Sequence, residues 1–235
     1  MPVKEVEKFM IIGLGIFGSE LAIDLSRKGH QVIGVDSDRD RANRLKDILE
    51  NTFIIDSTNL KGMSTLPLKE TNWVIVAIGE NEGASLMTVG ILKSMGVNKI
   101  ICRSLSKTHE YILAAMNIHD IVHPEKEAAQ QLSHRLTYNL GKEMLFIDND
   151  HSVTETLIPY WMVNKRLADL DIRGEFKVNI ISVLRDENVS KTKSKVDIEK
   201  KCKGVITPEF VFMEGDIIVT FGKNDDIKKM MTTNL

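Results

Sequence analysis

The stretch Met10–Asp38, MIIGLGIFGSELAIDLSRKGHQVIGVDSD, decides the fold. It opens on an apolar run ending at Ile12 that reads as a buried strand. Gly13, Gly15 and Gly18 follow at the G-x-G-x-x-G spacing, and a helical repeat starts at Phe17. In a strand–turn–helix setting each glycine has its own task. Gly13 permits the tight turn, Gly15 lets a phosphate approach the backbone, and Gly18 lets helix and strand pack closely. The free N–H groups of the first helical turn, where Ile16 and Phe17 stand, then face the phosphates. The next apolar run, QVIGVD, ends at Asp36, followed by Ser37. That is about 20 residues past the glycines, where this fold sets an acid against the ribose hydroxyls. A hydrogen bond to such a charged partner is worth roughly 1.5–3 kcal/mol. The same carboxylate repels a 2′-phosphate, which disfavours NADP. The competing reading makes Asp36 the cap of the following helix, with DSDRD as a turn.

Outward from this stretch the two periods keep alternating. Short apolar runs recur at TFIID, NWVIVAIG, KIICR and HDIVHP, apolar on both faces as buried parallel strands are. Between the runs lie helical stripes: Phe17, Leu21, Leu25; Ala42, Leu45, Ile48, Leu49; Met87, Ile91, Met95; and Ile112, Met116. Six strands alternating with helices predict an α/β, Rossmann-like doubly wound parallel sheet. Its carboxyl edge is the expected ligand crevice. The third strand brings Asp56, Ser57 and Thr58 there, and the fourth brings Ala77, Ile78 and Gly79. Asp56 is the candidate acceptor for an adenine amine, with a helix N-cap as its alternative, and Ile78 is the candidate ring cover. The fifth strand presents Arg103, whose guanidinium suits phosphate. After the sixth, Pro124 suits a helix start, and Glu125 and Glu127 suit its positive end. Glu125 also lies on the ligand edge, where a metal or phosphate-side role is equally open.

Past Glu125 the character changes. EKEAAQQLSHRLTYNLGKEMLFI carries Leu132, Leu136 and Leu140 on one helical stripe, which packs either on a partner or on its own sheet. Beyond Asp148, SVTETLI, KVNIISVLR and GDIIVTFG read as strands, and VNKRLADLDI and NDDIKKMM as helices. The polar stretch DENVSKTKSKVDIEKKCKG reads as a loop. A small α+β domain is expected to follow the sheet.

Composition narrows the classes. The 235 residues are 43% hydrophobic and 27% charged, with 31 basic against 33 acidic side chains and a net charge of -2. No basic field is available for nucleic acid. No apolar run approaches the roughly 20 residues that span a bilayer. MPVKEVEKFM lacks a signal-peptide core, so a cytoplasmic location is expected. Cys102, in KIICR, reads as core packing. Cys202, in EKKCKG, reads as a surface thiol whose cationic neighbours favour the thiolate.

Taken in order, GLGIFG, VD, DSTN, VIVAIGEN, KIICR and IVHPEKEAA resemble the regulator-of-potassium-conductance (RCK) family, in the form of the cytosolic subunits of Ktr/Trk potassium uptake systems. The resemblance spans nearly the whole chain. It implies a nucleotide-binding N-terminal domain over 1–140 and a C-terminal regulatory domain over 150–235. It also implies dimers assembled into a ring, often an octamer, docked at the inner face of the membrane on a potassium-translocating subunit. The implied ligands are NAD(H), ADP or ATP. Asp36 would hold ribose, Asp56 and Ser57 the adenosine end, Arg103 a phosphate, and Glu125 a divalent cation such as Mg or Ca. Some C-terminal domains of this family bind cyclic di-AMP. Many ATP-responsive relatives carry Arg where this chain has Ile16, and an apolar side chain cannot reward a terminal phosphate. That departure adds weight to NAD or a diphosphate.

The competing class is a small NAD-dependent oxidoreductase; a third reading is a soluble nucleotide sensor with a non-channel partner. Hydride transfer needs an acid or base over the nicotinamide. Of the six histidines only His123 lies at a strand's ligand edge, and Glu125 is its one evident orienting carboxylate. No Tyr-x-x-x-Lys pair occurs. A sensor without catalytic residues is therefore expected.

Overall fold

A computed structural model describes residues 5–138, 144–192 and 195–233. The chain divides into two compact units, Met1–Glu127 and Ala128–Leu235. The first unit alternates β1 (Lys8–Ile12), α1 (Ile16–Arg27), β2 (Gln31–Asp36), α2 (Arg39–Leu45), β3 (Asn51–Ile54), α3 (Leu60–Met63), β4 (Trp73–Val76), α4 (Glu82–Ser94), β5 (Ile100–Arg103), α5 (Lys107–Ala115) and β6 (Ile121–Val122). The strands form one parallel sheet in the order β3-β2-β1-β4-β5-β6. Strand order reverses between β1 and β4, so the carboxyl ends of these two strands flank the crevice of a doubly wound sheet.

The period-two alternation explains why both faces had to be apolar. Met10 and Ile12 of β1 join a core with Val74, Val76, Val89 and Leu113. Ile11 points to the other face and packs with Leu14, Ala22, Ala42 and Leu45. The helical stripes hold in part: Phe17, Leu21, Leu25, Ile91, Met95 and Met116 pack against the two cores, but others are displaced. On α4 the buried positions are Ser85, Thr88, Val89 and Leu92, while Met87 is exposed. On α5 His109 and Leu113 are buried and Ile112 is exposed. Small polar side chains can face the core because their bonds close locally: Thr88 Oγ1 donates to the Ala84 carbonyl at 2.8 Å, and Ser85 Oγ lies 3.5 Å from Cys102 Sγ.

The helix α6 (Pro124–Tyr138) follows the sheet. Leu132 and Leu136 of the leucine row are exposed on it, and Leu140 lies outside the described residues. The second unit adds β7 (Met144–Phe146), β8 (His151–Leu157), α7 (Ile172–Phe176), β9 (Asn179–Thr192), β10 (Lys195–Cys202), β11 (Ile217–Lys223) and α8 (Asn224–Thr232). Its strands pair antiparallel in the order β10-β9-β11-β8-β7. Trp161, Met162, Phe176, Phe212, Ile218 and Ile227 form its core. Two sequence expectations fail here. The polar stretch after Leu184 is a hairpin, because β9 runs on to Thr192 and pairs with β10. The segment around Leu167 is only a 3-10 turn, Leu167–Asp169, before the short α7.

The two cysteines behave oppositely. Burial pushes the Cys102 thiol up to about 11. Cys202 is exposed, and its thiol is held below the usual range by the Ser182 hydroxyl at 3.1 Å, then by the Gly204 N–H at 3.4 Å. These bonds, rather than the flanking lysines, favour its thiolate. A thiol reagent at pH 8 is therefore expected to label Cys202 rapidly and Cys102 only after denaturation; peptide mapping of the labelled protein checks this.

Candidate functional site

The glycine loop is built as its spacing requires. Gly13 adopts φ +96°, donates its N–H to the Val35 carbonyl at 2.8 Å, and runs against the Ala77–Ile78 backbone. A Cβ on Gly18 would stand 1.9 Å from the Gly13 carbonyl oxygen and 3.2 Å from Ala77 Cβ. Gly15 differs from both. Its backbone is extended, and a Cβ there would meet only an Arg41 nitrogen, at 3.9 Å. Gly15 is also the N-cap of α1, and no side chain caps that end. Among the described residues no side chain accepts from the first-turn N–H groups, which stand beside open space, the arrangement that receives an anion.

Asp36, 7% exposed, fastens this loop to β2. Its Oδ2 accepts the Leu14 N–H at 2.6 Å and its Oδ1 the Asp38 N–H at 2.8 Å. A carboxylate has about four acceptor sites, so two backbone bonds leave capacity for ribose hydroxyls. The helix cap proves to be Asp38, which accepts from Asp40 N and Arg41 N. Those two backbone bonds hold the Asp38 carboxyl below its usual range. Ser37 is exposed beside it.

Beyond β3, Asp56 is exposed and accepts from the Thr58 N–H at 2.9 Å and the Thr58 hydroxyl at 2.7 Å. The Thr58 hydroxyl and then its N–H hold the Asp56 carboxyl low. The cap of α3 is Asn59, not Asp56. Ser57 is buried, 2.7 Å from Thr88 Oγ1. Because the Thr88 proton already goes to Ala84, the Ser57 hydroxyl is the donor in this pair and can only accept from a ligand.

The β4 and β5 ends meet around Arg103. Gly79 leaves the room: a Cβ there would lie 2.2 Å from Arg103 Nη1. The guanidinium sits 5.7 Å from the Phe17 ring centroid and pairs with Glu125. Its Nε is buried without a hydrogen-bond partner. His123 Nε2 lies 3.5 Å from Glu110, so the carboxylate beside it is not Glu125. Ile16 is 89% exposed at the start of α1. The structure thus brings Gly13, Gly18, Ala77 and Ile78 together, and Phe17, Gly79, Arg103 and Glu125 together. Among the described residues the Asp56 carboxylate bonds only to Thr58, in its own turn. Among the described residues no group of three or more His, Cys, Asp or Glu side chains is arranged to hold a metal ion.

Sequence reasoning missed Arg41. Its Nη2 donates to Glu80 Oε1 at 2.8 Å, and its Nε lies 3.7 Å from Asp38 Oδ2. The Glu80 bond keeps its guanidinium firmly charged. The available signal was its place in the first turn of the helix after β2, a helix start that opens on the ligand edge.

The TrkA-N domain model matches residues 9–124, the segment carrying this site. The Ktr system potassium uptake protein C of Bacillus subtilis is 32% identical over 226 residues, covering 95% of each chain. This chain belongs to the Ktr/TrkA family. Ktr system potassium uptake protein A of the same organism is 25% identical, again over 95% of both chains. Among solved structures, the GsuK channel bound to NAD superposes on the whole Ktr/TrkA-type chain with TM-score 0.57 at 14% identity. The chain spans 41% of that structure's chain, and the likeness carries the fold alone. The C-terminal unit of this Ktr/TrkA-family chain holds a cleft of about 350 Å³. Leu170, Asp171, Arg173, Asn179, Ile180 and Pro208 are among the residues lining it. Arg173 donates to Asn179 Oδ1 at 3.0 and 2.7 Å.

Proposed function

We propose that this chain is the regulatory subunit of a Ktr-type potassium uptake system, cytoplasmic and peripheral to the membrane, which senses an adenine nucleotide and gates a membrane-embedded translocator. The observation that carries the reading is the full-length match to a Ktr uptake protein, over 95% of both chains, joined to an uncapped helix start over open space at Gly15. Gly13, Gly15, Ile16, Phe17 and Gly18 cradle phosphate. Asp36 with Ser37 takes ribose, and Asp56, Ser57, Thr58, Ala77, Ile78 and Gly79 surround the adenosine. Arg103 neutralises phosphate. NAD(H) and ADP suit the loop better than ATP, because Ile16 offers a terminal phosphate nothing. A divalent cation at Glu125 fits only once Arg103 releases that carboxylate and phosphate oxygens complete the shell. The C-terminal cleft, with Arg173 and Asn179, is the candidate seat for cyclic di-AMP or another small anion.

Energetics favour an assembly. Shifting a gate from 1:99 to 99:1 takes about 5.5 kcal/mol of differential binding. One site typically couples by roughly 1–3 kcal/mol, so several subunits must act together. Exposed Leu132 and Leu136 on α6 are the candidate contacts of the ring.

The reading makes no use of catalysis. The observation favouring an oxidoreductase is His123 beside Glu110 at the sheet edge. One set of measurements separates the two. Calorimetry with ATP, ADP, NAD and NADH, with and without Mg²⁺, is expected to show tight binding of at least one nucleotide. No NADH turnover is expected with a panel of carbonyl and hydroxy-acid substrates, and a multi-span translocator is expected to co-purify. Turnover would move the reading to the enzyme, and a non-channel partner in the purification would move it to the third class.

A further inference from the structure

We infer that Arg41 is a phosphate-binding residue held in reserve by Glu80, and that an adenine nucleotide binds by taking Arg41 from that glutamate. The inference rests on the nucleotide reading above and adds a residue and an exchange to it.

Three observations place the residue. The position a Cβ would take on Gly15 is 3.9 Å from Arg41 Nη1, so the guanidinium borders the open space where a phosphate approaches the backbone. Its Nη2 donates to Glu80 at 2.8 Å. Arg41 comes from the β2 side of the sheet edge and Glu80 from the loop after β4, so the pair reaches across the switch point. The loop itself supplies no cation, because Ile16 is apolar, and Arg103 meets the ligand from the Phe17 side, away from Gly15. Among the described residues Arg41 is thus the cation that borders Gly15.

The exchange follows from exposure and geometry. The Glu80 side chain is 74% exposed, and an ion pair so solvated adds little net stability. A phosphate fixed on the α1 amides offers the guanidinium a bidentate, charge-assisted partner, whereas Glu80 is held through the single Nη2 bond. The phosphate nearest the adenosine is the one concerned, since Arg41 also adjoins Asp38 on the ribose side. Glu80 then acts as a competitor that a nucleotide must displace. Adenosine, which lacks phosphate, displaces nothing.

The test is calorimetry on the full chain with adenosine, AMP and ADP. Arg41→Gln is expected to weaken AMP and ADP by about tenfold and to leave adenosine unchanged. Arg41→Lys should fall between it and the wild type. Glu80→Gln is expected to tighten ADP by about threefold, since a neutral amide competes less well. Wild-type binding of ADP with an unaltered Arg41→Gln constant overturns the inference and leaves the nucleotide reading intact. Parallel loss of adenosine overturns it too, because the residue would then be shaping the pocket. Failure of the wild type to bind any of the three overturns the nucleotide reading and this inference together. Should Arg41→Gln melt before the wild type, Glu80→Gln carries the test, and unchanged or weaker ADP binding in that variant rejects the exchange.

Discussion

Gly15→Asp is expected to abolish nucleotide binding while the protein stays as stable as the wild type. Residue 15 is the N-cap of α1, with extended backbone that any residue adopts. Asp is among the best N-cap residues, since its carboxylate accepts from first-turn N–H groups and suits the helix dipole. Space is available, because the nearest group to an added Cβ is a side-chain nitrogen of Arg41. Folding therefore loses nothing. A nucleotide, however, then meets a carboxylate where its phosphate belongs. Two like charges about 4 Å apart repel by about 4 kcal/mol at the effective dielectric of a protein surface, on the order of a thousandfold in affinity. Gly18→Ala supplies the contrast: its Cβ would stand 1.9 Å from the Gly13 carbonyl, which is backbone and cannot step aside. That variant should fail as a folded protein. Melting curves read beside calorimetry decide the matter. A folded Gly15→Asp that still binds ADP at wild-type strength would show that the phosphate does not sit at Gly15, and an unfolded one would show that residue 15 is not a free cap position.

The same physics explains how far the sequence could be read. The parallel sheet was legible because strands covered on both faces must be apolar throughout, as Met10–Ile12 and Val74–Val76 are. The glycine loop was legible because steric demands at Gly13 and Gly18 leave no other residue type. Helix faces were less legible. His109, Ser85 and Thr88 are fully buried, and hydrophobic periodicity passes over them, so the α5 stripe was displaced from Leu113 to Ile112. The β9–β10 hairpin was hidden because its stability lies in backbone pairing, which polar composition does not reveal. Arg41 was hidden for another reason. Its partner Glu80 is 39 residues away, and only closure of β2 and β4 on either side of β1 brings the two together. Composition could show that the strand ends hold charged residues, but which charges pair is decided by the sheet order.

Asp216→Ala is expected to destabilise the C-terminal unit by about 3 kcal/mol. Asp216 is fully buried just before β11. Its carboxylate accepts Arg185 Nε and Nη2, both at 2.7 Å, and the Met213 N–H at 2.8 Å. Arg185 also donates to the Val211 carbonyl at 2.9 Å and lies 5.0 Å from the Phe210 ring centroid. One carboxylate thus ties β9 to the segment that leads into β11. Breaking a buried pair by removing one partner costs about 3–5 kcal/mol, because the other charge is left without compensation. The lower figure applies here, since the Arg185 side chain keeps 22% of its surface in water. In a domain of this size each kcal/mol moves the melting temperature by about 4–8 °C, so scanning calorimetry should show a fall on the order of 12–24 °C. The penalty belongs to the stranded charge, not to the lost attraction. Arg185→Met combined with Asp216→Leu should therefore recover much of the loss, as apolar replacements of buried pairs do. A single variant that melts within a few degrees of wild type, or a double variant no better than the single, would show that apolar packing around Phe212 and Ile218 holds β9 and β11 together without this pair.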